Sequence, residues 1–270
     1  MSIIEQALEK ARRTARREPE ATPPPVAPSR PWQDTPADGR APAKDSAPPP
    51  REPLVRTSPV GEEYRLFKER LLAIQKSDRS KNMFLITSPM RSEGKTHVAC
   101  NLARSLAQEL DHTVLLIDAD MRSPSCHRML GIPRPEGLSD CLTRGKKFWE
   151  VLIHTGVGRL SFLSSGHPVP NTAELFASNL MRDLLMEIKQ RYDDRIILID
   201  TTPILPFAET RSLSRLADGV ILVVRENVTV KSHLEATMRL LKDSNFIGAV
   251  YNDAQNQGSD KDIFDLRYTY

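Results

Sequence analysis

An α/β fold, with a mostly parallel sheet and helices on both faces, is what this 270-residue sequence predicts, on three observations. Short apolar runs alternate with longer segments of helical period from residue 83 onward. The runs are almost continuously apolar, as strands covered on both faces must be. The segments between most of them are long enough for the right-handed crossovers that join parallel strands.

The elements follow in order. "MSIIEQALEKARRTARR" (1–17) opens with Ser2 three residues before Glu5, a capping-box pattern, and sets Ile3, Ile4, Ala7, Leu8 and Ala11 on one helical face. Lys10, Arg12, Arg13, Arg16 and Arg17 occupy the other side, which suits an anionic membrane, a partner's groove or plain solvent. Residues 18–59 are rich in Pro, Ala, Asp and Arg with almost nothing apolar to bury, and 13 of the 21 prolines fall before residue 60. Ordering such a stretch loses backbone entropy with no burial in return, so a flexible linker is expected there. The folded domain is expected over 60–256, with a tail at 257–270.

Within that domain "EEYRLFKERLLAIQK" places Tyr64, Phe67, Leu71 and Ile74 on one face of a helix. Strands are expected at "MFLIT" (83–87), "TVLLIDA" (113–119), "LSFLSS" (160–165), "RIILID" (195–200), "GVILVV" (219–224) and "FIGAVYN" (246–252). Helices are expected at 94–110, 172–192 and 229–243. In open parallel sheets a ligand sits beyond the carboxyl ends of the strands, so the residues there are the ones to weigh.

Composition excludes several classes. A net charge of +3 spread over both signs does not mark a nucleic-acid protein. Cys100, Cys126 and Cys141 are few and odd in number, which fits a reducing compartment rather than a disulfide framework or a zinc site. No apolar run reaches 18 residues, so a cytoplasmic protein without a span of its own is expected.

After the first strand, "SPMRSEGKT" runs straight into a helical pattern. Strand, loop, Gly94-Lys95-Thr96 and helix form the context of a phosphate-binding P-loop: successive N–H groups and a helix N-terminus make an anion cradle, a lysine reaches the outer phosphates, and a hydroxyl helps hold Mg²⁺. The opening glycine of that motif is Pro89 here. The second strand closes on Asp118 with Asp120 two residues on, and the fourth closes on Asp200, the arrangement of a Mg²⁺ ligand or its water. A nucleotide–Mg²⁺ site follows from the three together.

These residues resemble the bacterial tyrosine kinases, built on a P-loop NTPase core shared with Min/Par-type ATPases. "LLIDADMR" is similar to the family's second Walker motif, "GLSDCL" (137–142) to its "GLSDYL", and "SSGHPVPNTAELFAS" to its "PAG…PNPAELL" stretch. The opening "MSIIEQALEKARR" resembles that of the exosortase-associated tyrosine autokinases of exopolysaccharide clusters.

The resemblance implies an ATP-dependent protein-tyrosine autokinase, regulating exopolysaccharide synthesis and export and phosphorylating C-terminal tyrosines in trans. It would place Lys95 on the phosphates, Asp118 beside the γ-phosphate to activate the tyrosine hydroxyl, and Asp120 and Asp200 around the metal and its waters, with Thr96, Asp118 and Asp200 toward Mg²⁺. ATP contacts would come from Ser88, Met90, Arg91, Ser92, Glu93, Gly94, Lys95, Thr96 and His97. Asn252 either contacts the adenine or starts a turn. Glu62, Arg65 and Lys68 match the oligomerisation signature E-x-x-R-x-x-R with lysine in the last place, and Tyr268 and Tyr270 would be the acceptors. A membrane chain-length-determinant protein, a cognate tyrosine phosphatase and further copies of the chain are the implied partners, with no nucleic acid.

Two departures stand out. Relatives commonly read Pro-Gly-Glu-Gly-Lys where this loop reads Arg91-Ser92-Glu93-Gly94-Lys95, so Ser92 must adopt left-handed geometry at about 1 kcal/mol. A Min/Par-type ATPase carries a further lysine near the loop start, where this chain has Met90. That ATPase and a degenerate nucleotide-binding scaffold are the alternative readings.

Overall fold

The computed structural model describes residues 59–133, 136–191 and 194–253. The expected helix at 1–17, the linker up to residue 58, and the tail at 257–270 with Tyr268 and Tyr270 lie outside the described residues.

The first described element is helix α1 (Pro59–Ser77), whose Leu71 and Leu72 are buried while Tyr64, Phe67 and Ile74 pack beside them. Strand β1 (Met83–Thr87) follows, then helix α2 (Lys95–Leu106), β2 (Thr113–Asp118) and the short helices α3 (Cys126–Leu130) and α4 (Leu138–Arg144). Next come β3 (Ile153–His154), β4 (Leu160–Leu163), α5 (Thr172–Phe176), α6 (Asn179–Gln190), β5 (Arg195–Asp200), α7 (Ala208–Ser214), β6 (Gly219–Arg225), α8 (Lys231–Leu240) and β7 (Phe246–Asn252).

The seven strands form one sheet in the order β3-β4-β2-β5-β1-β6-β7. Every pairing is parallel except β3 with β4, so the mostly parallel sheet expected from the sequence is present with one antiparallel edge. β3 is two residues long and half-exposed, with no apolar run to announce it.

Successive strand residues point to opposite faces, and both faces are dry. Met83, Leu85, Leu115, Ile117, Ile197 and Ile199 meet α4, α6 and α7 on one side. Phe84, Ile86, Val114, Leu116, Ile196 and Leu198 meet α1, α2 and α3 on the other. This double burial is why the runs lack a polar alternation.

The helical segment expected over 172–192 is two helices. Ala177 and Ser178 break it, and the Ser178 hydroxyl accepts the Met181 N–H at 3.2 Å as the N-cap of α6.

Candidate nucleotide-binding site

The sheet order sets β1 between β5 and β6, so the loop leaving β1 is flanked by the carboxyl ends of its neighbours. That loop is residues 88–94, ending at the N-terminus of α2. Its conformation is built by internal contacts. The Ser88 hydroxyl donates to the Met90 carbonyl at 2.6 Å, and the Met90 N–H donates to Glu93 Oε2 at 2.8 Å. Glu93 is buried, and its other oxygen accepts from the Thr229 hydroxyl at 2.6 Å.

Ser92 has φ 64 and Gly94 φ 97, so the left-handed serine expected from the sequence is present. A Cβ on Gly94 would lie 2.1 Å from Asn252 Nδ2, a second reason for glycine there. Asn252 donates from Nδ2 to the Glu93 carbonyl at 3.0 Å, so its side chain braces the loop.

Against the loop opens a cavity of about 380 Å³. Arg91, Ser92, Gly94, Lys95, Thr96 and His97 line it, as does Asp120 from the turn after β2. Lys95 Nζ lies 3.0 Å from Asp120 Oδ2, joining two residues 25 apart in the chain. Ser88, Met90, Glu93 and Asn252, expected as nucleotide contacts, shape the loop and do not line the cavity.

Asp118 and Asp200 are directly opposite each other in the β2–β5 register, and both are fully buried. They lie behind the cavity, not at its rim as the strand-end position suggested, because the chain after β2 folds back across them. Asp118 Oδ1 accepts the Asp120 N–H at 3.2 Å, and Oδ2 accepts those of Ser125 and Cys126 at 3.2 and 3.1 Å. The Cys126 thiol donates to Asp200 Oδ2 at 3.3 Å. Asp200 Oδ1 is buried with no hydrogen-bond partner among the described residues.

The electrostatics follow from this packing. Burial, then the facing Asp200 charge, pushes the Asp118 carboxyl up to about 7. Burial pushes Asp200 up to about 6 against the pull of Lys95. Burial tends to lower the Lys95 ammonium, but Asp200 and Asp120 outweigh it and hold it above its ordinary value. Two raised carboxyls and an orphaned oxygen are a demand for positive charge. The ligand atoms that gather here are the carboxylates of Asp118 and Asp200 with the Cys126 thiol; the carboxylate oxygens suit Mg²⁺, and the thiol, held protonated by burial, does not compete for it.

Sequence reasoning missed several contributors. Ser125 donates to the Thr96 hydroxyl oxygen at 3.3 Å, and with Cys126 it closes over Asp118. Arg91 and Arg122 place their guanidinium carbons 5.2 and 4.8 Å from the Phe207 ring centroid at the cavity wall. Arg122 also pairs with buried Glu209. Arg91 was among the expected ATP contacts and Arg122 closes the second Walker motif, whereas Ser125, Cys126, Phe207 and Glu209 have no spacing signature, since they reach the site through chain reversals after β2 and β5.

On α1, Lys68 forms an ion pair with Glu109, in the turn just past the end of α2. The residue expected to project its charge to another copy of the chain is engaged within its own. Arg65 has partners too. No helix among the described residues is long and apolar enough to cross a membrane.

The AAA domain family matches residues 92–247. The chain is 33% identical over 193 residues to the tyrosine-protein kinase YwqD of Bacillus subtilis, covering 71% of this chain and 80% of that protein. It is 30% identical over 180 residues to the tyrosine-protein kinase etk of Escherichia coli K12, covering 66% of this chain. It spans only 24% of that longer relative. Among solved structures, the kinase domain of the Escherichia coli tyrosine kinase ETK superposes with a TM-score of 0.64 at 28% identity, covering 77% of this chain and 80% of that one.

Proposed function

We propose, for a chain that belongs to the AAA domain family and within it to the bacterial tyrosine kinases, that its cavity carries ATP-dependent phosphoryl transfer to tyrosine, with its own tail among the acceptors. The observation that carries this is the meeting of Lys95, Thr96 and Asp120 in one cavity, directly in front of the buried Asp118–Asp200 pair.

When bound, ATP supplies the transferable phosphoryl group and Mg²⁺ the positive charge that offsets it. The protein's part is positioning and charge. The 92–94 N–H groups and the start of α2 would cradle phosphate oxygens, and Lys95, now paired with Asp120, would hold the outer phosphates. Thr96 and Asp200 would hold the metal side, with Asp200 Oδ1 the oxygen that lacks a partner. Asp118 takes the proton of the incoming hydroxyl, and a carboxyl near 7 is matched to that task at neutral pH. Its oxygens are now taken by three N–H groups, so the turn over 120–126 draws back before a tyrosine reaches it.

Tyr268 and Tyr270 are the proposed acceptors, presented to another copy of the chain. Glu62, Arg65 and Lys68 are the proposed contacts between copies, and Lys68 must leave Glu109 to take part. A membrane chain-length-determinant protein is the proposed activator, holding the chain at the inner membrane face for exopolysaccharide export, and a cognate phosphatase resets it. The basic 1–17 segment on its linker is the proposed docking element.

Purified full-length protein with ATP and Mg²⁺, with and without the activator's cytoplasmic segment, tests the reading by mass spectrometry of the tail. Phosphotyrosine at Tyr268 or Tyr270, lost in Lys95→Met, supports it. ATP hydrolysis with no phosphotyrosine under either condition overturns it.

A further inference from the structure

Arg225, the last residue of β6, is outside the cavity lining, yet its guanidinium is engaged on two sides. Nη1 donates to the Ser92 carbonyl at 3.0 Å. Nε and Nη2 donate to Asp253 Oδ2 at 3.0 and 2.7 Å. The residue whose carbonyl it holds is unusual. Four non-glycine residues have positive φ among those described: Ser92, Asn171, Asn227 and Asp253. Asparagine and aspartate tolerate that region, whereas serine is less suited to it. Ser92 is thus the member of the set whose backbone needs outside support, and it stands in the phosphate loop.

The loop's other half is tied to the same two strands. Asn252 at the end of β7 donates to the Glu93 carbonyl, and Thr229 donates to the Glu93 carboxylate while accepting the Arg225 N–H at 2.9 Å. If Ser92 relaxed to negative φ, the peptide joining it to Glu93 would swing, and an N–H of the anion cradle would swing with it. The carbonyl of that same peptide is the one Arg225 grips.

We infer that Arg225, oriented by Asp253, is a positioning residue that pins Ser92 in the left-handed conformation the phosphate loop requires, replacing the conformational freedom a glycine would bring. Its consequence for nucleotide affinity rests on the reading of the cavity given above; the pinning itself does not.

The test is a double-mutant cycle in the full chain: wild type, Arg225→Ala, Ser92→Gly, and both together. Hydrogen exchange of the 91–96 amides, without nucleotide, reads the loop directly. Binding of a fluorescent ATP analogue with Mg²⁺ reads the consequence. Arg225→Ala should speed exchange in the loop and weaken nucleotide binding about fivefold, the loss of one charge-assisted hydrogen bond at an exposed site. Ser92→Gly supplies the background in which the pin is dispensable, whatever its own effect on binding, and in that background Arg225→Ala should lose most of its effect. Equal effects in both backgrounds, or loop exchange indifferent to Arg225→Ala, would overturn the inference. Exchange that couples as expected in proteins that bind no nucleotide would uphold the pin and overturn the nucleotide reading instead.

Discussion

Asp118 and Asp200 close neighbouring strands at the same level of the sheet, both fully buried, with three backbone N–H groups turned on Asp118 and the Lys95 charge and the Cys126 thiol on Asp200. The chemistry of the site and its instability share this origin.

The pH dependence of the metal-free protein follows from the pair. Both carboxyls are raised in the folded state, to about 7 and about 6, from an ordinary value of 3.8. Between those limits the unfolded chain has released protons that the folded one retains. Stability therefore falls as pH rises from about 4 to about 7 and levels off above it. Mg²⁺ replaces the lost protons, so its thermal shift should be larger at pH 8 than at pH 5.5. Calorimetric scans with and without Mg²⁺ check this, and a shift independent of pH would contradict it.

Neutralising one member of the pair should separate stability from activity. Asp200→Asn removes a buried charge facing another, so at pH 8 without metal the variant should melt higher than wild type. Its phosphotyrosine yield should drop by about a hundredfold or more, the usual scale for losing one positioned electrostatic group. Thermal melts and single-turnover transfer assays read the two effects.

Gly137 has φ −171, an extended value open to any residue, so its constraint is room. A Cβ there would sit 2.0 Å from the Ser164 carbonyl oxygen. Gly137→Ala should separate α4 from the end of β4 and destabilise by about 1–3 kcal/mol, the range for overpacking a tight contact. Urea unfolding measures it.

The cysteines should be inert in the native state. Cys100 and Cys126 are buried, burial pushes the Cys126 thiol well up, and half-buried Cys141 is pushed up to about 11. A colorimetric disulfide reagent at pH 7.5 should find almost no rapid thiol before unfolding and three after it.

Lys68 offers a test of the contact between copies. Because it must leave Glu109 to reach another copy, Lys68→Ala should lower stability by less than about 1 kcal/mol and reduce assembly size only slightly. Arg65→Ala should reduce assembly size. Light scattering distinguishes the two.

The sheet was legible because its strands are buried on both faces and so leave uninterrupted apolar runs such as 195–200, which β5 occupies residue for residue. β3 left no such trace, being two residues long with an exposed histidine. The break at Ser178 was hidden because a serine within a helical pattern reads equally as interior or cap until its hydroxyl partner is seen. Of the site, Lys95, Thr96 and Asp120 were legible from motif spacing and do meet. The depth of Asp118 and Asp200 was not, since strand-end position says where a side chain stands and not what folds over it. Ser125, Cys126 and Phe207 join the site through chain reversals after β2 and β5, which leave no periodic mark.

The sheet's last strand, β7, delivers the backbone at Asp253 beside the phosphate loop. Fifteen residues further comes Tyr268, a leash of at most about 50 Å when drawn out fully. As the proposed acceptor, Tyr268 moored that near a pocket would compete for its own doorway before it could visit another molecule's. The order of the reaction in protein concentration, measured from nanomolar to micromolar, therefore reveals which doorway wins: second order for exchange between molecules, first order for self-service.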